Sequence, residues 1–188
     1  MKKLILAVFI LLAAAGAVLY LSPAAQLTVY QGIEQWRAGL HARSVSVNDL
    51  KVSYYEGGPQ GAEAVLLLHG FGADKSTWLW FARTLTERYH VIIVDLPGFG
   101  ASDRPHGSYD VGTQTERLAT FVDALGIRRL HLAGHSMGGH IAALYAARYP
   151  DQVSSLALIA NAGVTAPRRS PFFQRLEEQG DNPLLVDS

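Results

Sequence analysis

Two short runs that are apolar at almost every position, Val65-Leu66-Leu67-Leu68-His69 and Val91 to Asp95, constrain this chain more than any other feature. A strand with one face in water alternates apolar and polar residues. These runs do not alternate, so both of their faces must be covered. Further strands are expected at Leu130 to Ala133 and Val153 to Ala160. Between the strands lie stretches of helical period. Thr77 to Arg88 places Trp78, Phe81, Ala82 and Leu85 on one stripe, with Ser76 as its expected cap. A second helix opens on Thr113-Gln114-Thr115-Glu116, a capping-box pattern, carries Leu118, Phe121, Val122 and Leu125 on one face, and closes at Gly126 in the C′ position. A third runs from Met137 to Tyr149 and is stopped by Pro150. Upstream, Ser44 to Val47 and Leu50 to Tyr55 read as strands joined at Asn48-Asp49, followed by a loop over Gly57-Gly58-Pro59-Gln60-Gly61. Strands alternating with helices of this length predict a doubly wound α/β domain, a mostly parallel sheet with helices on both faces.

A chain of 188 residues suffices for one such domain. Lysine plus arginine and aspartate plus glutamate both number 16, which leaves no basic field for nucleic acid. The absence of cysteine excludes disulfides, thiolate nucleophiles and cysteine metal sites. No ligand cluster suggests a metal or a cofactor.

The N-terminus is different in character. Met1-Lys2-Lys3 precedes an uncharged run from Leu4 to Leu21. As a helix this run extends about 27 Å, near the ~30 Å hydrocarbon core of a bilayer. It is long for the apolar part of a cleaved signal peptide, although Ser22-Pro23-Ala24 offers a small-residue cleavage site. The expectation is an anchor over residues 1–22, single-pass, with the lysines on the cytoplasmic side and the rest of the chain across the membrane; secretion after cleavage is the alternative. Residues 23–43 form a juxtamembrane segment. Within it Gln26 to Ala42 suits a short amphipathic helix with Val29, Ile33, Trp36 and Leu40 on one stripe. Two readings stay open: Tyr30 and Trp36 at a lipid interface, or a helix packed on the domain.

In a doubly wound sheet, chemistry collects beyond the carboxyl ends of the strands, and three motifs fall there. Gly134-His135-Ser136-Met137-Gly138 sits between a strand and a helix. A serine at such a turn projects its hydroxyl above the sheet, and Gly134 and Gly138 flank it where a Cβ would strike the converging strand and helix. Ser136 is therefore the candidate nucleophile. His69-Gly70-Phe71-Gly72 ends an earlier strand. An oxyanion hole needs two N–H groups aimed at the developing charge, and Met137 and Phe71 are the candidates to supply them. Gly70 lets the loop turn its amide inward, and His69 suits a structural hydrogen bond better than proton transfer. The third motif, Asp95-Leu96-Pro97-Gly98-Phe99-Gly100-Ala101-Ser102, suits loop shaping, with Asp95 fixing turn amides.

With these motifs in place, the stretch from about Val65 to Ala162 resembles the α/β-hydrolase superfamily, and within it the membrane-anchored monoacylglycerol lipases and related bacterial lipases. Gly134-His135-Ser136-Met137-Gly138-Gly139 has the form of their elbow, His69-Gly70-Phe71 resembles their oxyanion loop, and Pro171 to Leu176 looks like the opening of their lid. The resemblance implies a core over residues 44–166, a lid beginning at 167–188, and hydrolysis of lipid esters beside the membrane. Serine at position 136 argues against haloalkane dehalogenase or epoxide hydrolase chemistry, which uses a carboxylate there. Carbon–carbon bond hydrolysis and a catalytically dead interaction module remain as alternatives.

A serine nucleophile also needs a histidine oriented by a carboxylate. The only histidine after Ser136 is His140, four residues on in the following helix, and His135 and His106 are no better placed. Asn161 stands where some relatives carry the acid, and Asp181 and Asp187 fall in the expected lid. In the resembling family both groups follow the seventh and eighth strands. The chain is thus expected to hold the first six strands of a longer hydrolase and to turn over slowly, if at all, by itself. Its last strand is expected to leave an apolar edge uncovered.

Overall fold

The structure, a computed structural model, describes residues 2–163. The expected lid, with Pro171 to Leu176, Asp181 and Asp187, lies outside them. Helices α1 (Lys2–Leu21) and α2 (Pro23–Arg37) precede a hairpin of β1 (Leu40–Val47) and β2 (Leu50–Gly57). Then follow β3 (Ala64–Leu68), a 3₁₀ turn (Lys75–Trp78), α3 (Leu79–Ala82), β4 (His90–Val94), α4 (Val111–Ala124), β5 (Leu130–His135), α5 (Met137–Arg148) and β6 (Val153–Ile159). The sheet order is β1-β2-β4-β3-β5-β6. From β4 to β6 the strands are parallel, and β2 joins β4 antiparallel. Asn48 and Asp49 both take positive φ, 48° and 62°, which matches the twist of a two-residue hairpin turn.

The continuous apolar runs are explained by two cores. Leu66, Leu68, Ile92, Val94 and Leu132 pack with Leu118, Phe121 and Val122 of α4 and Ile141 and Tyr145 of α5. Their neighbours Val65, Leu67, Val91 and Ile93 point to the other face, against Trp78, Leu79, Ala82 and Leu40. Side chains alternate along a strand, so a strand between two cores must be apolar throughout. Among the described residues β6 is one of the two edge strands, and Leu156, Leu158 and Ile159 are exposed there.

Several boundaries differ from expectation. The helix expected over Thr77 to Arg88 is the 3₁₀ turn followed by the four residues of α3. Thr84 Oγ1 donates to the Phe81 carbonyl at 2.8 Å and the Leu85 N–H to Ala82 at 2.9 Å, while the Thr86 and Tyr89 N–H groups reach Ala82 and Leu85 at 3.0 and 2.9 Å, so i→i−3 and i→i−4 bonds mix and no continuous α ladder forms. The cap is Asp74, which accepts from the Ser76 N–H at 2.7 Å; Ser76 itself is not the cap. Helix α4 starts at Val111, capped by Asp110 rather than by Thr113. The carboxylate of Asp110 accepts from the Thr113 N–H at 2.9 Å, and hydrogen bonds from Ser108 and Thr113 hold its pKa below the usual carboxylate range. Glu116, the other half of the expected capping box, instead pairs with Arg148 and accepts from the Tyr149 hydroxyl. Gly126 does close the helix, with φ 69°.

Helix α2 ends at Arg37 because Gly39 adopts φ 62° and its N–H returns to the Trp36 carbonyl, so Leu40 belongs to β1 and not to the helix. No single helix among the described residues is long and apolar enough to cross a membrane; Leu4–Val18 and Pro23–Arg37 reach that length and composition only together, as a pair bent by 100°.

Leu66 has no exposed surface and sits in the core under α4 and α5. Leu66→Ala is expected to lower unfolding free energy by about 2–5 kcal/mol, read from the urea midpoint.

Candidate active site

Strand β5 runs into α5 through Ser136, whose φ of 53° and ψ of −117° lie where side-chain-bearing residues are strained. Neighbours on three sides hold it there. Its N–H donates to the Ile159 carbonyl at 3.0 Å, and its own carbonyl accepts from the N–H groups of His140 and Ala162, each at 3.1 Å. The flanking glycines are required by contact. A Cβ on Gly134 would lie 2.6 Å from the Gly139 nitrogen, and one on Gly138 would lie 2.6 Å from the Leu68 carbonyl oxygen. The end of β3, the end of β5 and the start of α5 therefore meet at van der Waals distance through bare backbone.

The loop after β3 crosses directly over this turn. A Cβ on Gly70 would stand 3.2 Å from the Ser136 Cβ and 3.0 Å from His135 Nδ1. Residues far apart in sequence, Gly70-Phe71 and Ser136-Met137, are thus brought together. Met137 is the first residue of α5, where N–H groups have no acceptor within the helix and the helix dipole favours negative charge. The Phe71 ring is exposed and meets Phe99 edge-on at 5.7 Å.

His69 is fully buried and fastens this loop to the next one. The Leu96 N–H donates to its Nε2 at 3.0 Å, which leaves Nδ1 to carry the proton and donate to the Gly70 carbonyl at 2.8 Å. Burial pushes its pKa below the usual histidine value, so the ring is neutral and structural, in keeping with its reading from sequence.

Asp95 is likewise buried and does fix turn amides. Its carboxylate accepts from the Ala101 N–H at 2.8 Å and the Lys75 N–H at 2.7 Å, and it is ion-paired with the Lys75 ammonium. Lys75 also lies over the Tyr55 ring, 4.9 Å from its centroid. The sequence reading missed this lysine. A signal existed: Lys75, Trp78, Leu79 and Ala82 follow the i, i+3, i+4, i+7 spacing of a buried face.

The remaining histidines lie elsewhere. Among the described residues the rings that form hydrogen bonds are His69, His90 and His131, bonded to loop backbone, to Glu56 and to Ser155; none reaches the Ser136 hydroxyl. The His140 ring packs on Gly163, where a Cβ would come within 2.6 Å of it. Asn161 Oδ1 is buried beside Gly139 with no hydrogen-bond partner among the described residues. No group of three or more His, Cys, Asp or Glu among the described residues is placed to hold a metal ion.

A doubly wound sheet with a strained serine between strand and helix, crossed by a glycine loop from the neighbouring strand, defines a class. The chain belongs to the α/β hydrolase fold family, whose model matches residues 63–184. Within that family it is similar to a monoacylglycerol lipase of Xenopus laevis, 37% identical over 87% of this chain and 51% of the relative. Among solved structures, a membrane phospholipase A described as a bacterial virulence factor is 58% identical, with a TM-score of 0.83 over 99% of this chain and 60% of that one. A putative lipase from Acinetobacter baumannii AYE is 36% identical, with a TM-score of 0.75 over 81% of this chain and 52% of that one. The chain spans about half the length of the curated relatives it matches.

Two outcomes are expected. Lys75→Met leaves a buried carboxylate without its counter-charge and is expected to cost about 3–5 kcal/mol in chemical denaturation. The lowered pKa of His69 also carries a sign. Below pH ~6.5 the unfolded chain takes up a proton that the folded ring refuses, so stability falls toward acid by at most about 1.4 kcal/mol per pH unit from this group. His69→Asn, though less stable at neutral pH, is expected to show a shallower loss between pH 6.5 and 5 when melts are compared.

Proposed function

We propose that the protein is a serine hydrolase of lipid carboxylic esters, with Ser136 as nucleophile and the N–H groups of Met137 and Phe71 as oxyanion hole. The observation that carries this reading is the apposition of Gly70 and Ser136 over the N-terminus of α5, so close that a Cβ added to Gly70 would stand 3.2 Å from the Ser136 Cβ. That arrangement suits acyl transfer. The Ser136 oxygen attacks the ester carbonyl carbon while a histidine takes its proton, and the negative charge that forms on the carbonyl oxygen is received by the two amides. Collapse expels the alcohol, which recovers the proton, and water repeats the sequence on the acyl-enzyme. The histidine and its orienting acid, in this reading, follow the seventh and eighth strands as in the resembling lipases; the His140 ring packs against Gly163. Catalysis of this kind requires no metal or cofactor.

Monoacylglycerols and glycerophospholipids are the substrates that the names of its relatives favour. The membrane phospholipase A among them also supports a membrane location. We propose α1 as the anchor, its apolar run of about 27 Å accommodated by local thinning of the ~30 Å hydrocarbon core, with Lys2 and Lys3 on the cytoplasmic side and the hydrolase core on the other.

The test is labelling by a fluorophosphonate, together with hydrolysis of both lipid classes, in the full-length protein. Ser136→Ala is expected to abolish labelling and to lower kcat by roughly 10³-fold or more. Labelling or hydrolysis that survives the substitution would overturn the assignment. The 188-residue chain alone is expected to turn over slowly or not at all; Ser136-dependent hydrolysis at full rate would show that its base lies within these residues.

A further inference from the structure

Helix α2 carries its polarity the wrong way round for a helix in water. Gln31, Glu34, Gln35 and Ala38 occupy an arc of about 100° that faces the domain. Gln31 Nε2 donates to Ser76 Oγ at 3.0 Å, and Gln35 Nε2 donates to the Leu40 carbonyl at 3.1 Å. Glu34 is only 4% exposed and is paired with Arg37 at 3.0 Å and Arg83 at 3.7 Å. The stripe read from sequence, Val29, Ile33 and Trp36, points to the opposite side, with Ile33 45% and Trp36 80% exposed. The helix thus packs on the domain with its polar face and offers its apolar face outward. A surface helix in water normally does the reverse. The neighbouring α3 carries a further exposed ring, Trp80, at 70%. That neighbourhood is fixed by the Gln31–Ser76 and Glu34–Arg83 contacts.

We infer that α2 and the start of α3 form a seat on a lipid bilayer surface, α2 lying in the interface with Val29, Ile33 and Trp36 among the acyl chains. Three features select lipid as the occupant. Leu4, Phe9, Leu11 and Val18 of α1 are exposed, and only Ser22 separates the end of α1 at Leu21 from the start of α2. Tyr30, Trp36 and Trp80 have an apolar body and a polar tip, the ring type that settles at headgroup depth. Arg37 and Arg83 are half exposed beside the strip, where they meet lipid phosphates. The inference extends the membrane part of the proposed function and is independent of the chemistry at Ser136.

These 188 residues contain no cysteine, and any cysteine in the rest of the full-length protein is replaced by serine, so that single spin labels can be placed. Ile33→Cys and Trp36→Cys, with Asp123→Cys on α4 as control, are labelled in the full-length protein reconstituted into phosphatidylcholine–phosphatidylglycerol vesicles. At positions 33 and 36 collision with oxygen is expected to dominate over collision with a polar nickel chelate, and the order is expected to reverse at 123. Chelate access at 33 and 36 equal to that at 123 would overturn the proposal. So would exclusion of both relaxants together with dipolar broadening between labels, the signature of a second copy of this chain on the strip. Hydrolysis by the same vesicles is read separately, so failure of this surface and failure of the esterase reading are distinguishable.

Discussion

A carboxylate shut away from water holds the upper edge of this sheet together. Moving an ionised aspartate into the interior is prohibitive unless donors surround it. Asp95 has them from the Lys75 backbone, the Lys75 ammonium and the Ala101 backbone. Its own main chain extends the set: its N–H donates to Ser53 of β2, and its carbonyl accepts from the Ser102 hydroxyl, which in turn accepts from the Ser53 N–H. Three segments, β2, the loop after β3 and the loop after β4, are thereby fixed relative to one another. Gly100 belongs to the same arrangement, since with φ 52° it lies where a Cβ would overlap the Asp95 carboxylate. Such a pair need add little net stability over an apolar substitute. It does make alternative loop positions costly, because each would strand a charge.

What that fixed edge supports is a backbone amide. An oxyanion site works by being in place before charge develops, so the one proposed here calls for Phe71 and Met137 to be held from independent directions. Met137 is held by the start of α5, pressed against β3 through Gly138. Phe71 is held by a loop that His69 fastens to Leu96 and that Lys75 fastens to Asp95. Residues 69–137 thus bring the proposed nucleophile and both proposed amide donors onto one frame, while the proposed base and its acid come from elsewhere.

The sequence was most informative where covalent geometry and the core act alone. The strands at Val65, Val91, Leu130 and Val153, the turn at Asn48-Asp49, the stop at Gly126 and the tight crossing at Gly134 and Gly138 follow from periodicity, φ preference or the absence of a Cβ. It was least informative where a distant partner decides. Asp110 took the cap of α4 because Glu116, free to complete a capping box, is drawn to Arg148 and Tyr149. The helix after the 3₁₀ turn is cut short where Thr84 bonds back to its own backbone. Lys75 was overlooked because its buried acceptor lies 20 residues away. The stripe on α2 was legible as a stripe, but its direction depends on Ser76 and Arg83, which the local pattern does not contain.

The backbone angles at Ser136 bear on how such a protein changes under selection. Glycine adopts φ 53° and ψ −117° with less strain than serine, so the most stable residue for this turn is one without a hydroxyl. With Ser136 as the proposed nucleophile, fold and chemistry pull in opposite directions at a single position. A programme that screened variants for thermal resistance alone would be drawn to position 136 and would trade the hydroxyl for heat tolerance, whereas one that also demanded catalysis would have to find its gains elsewhere in the molecule.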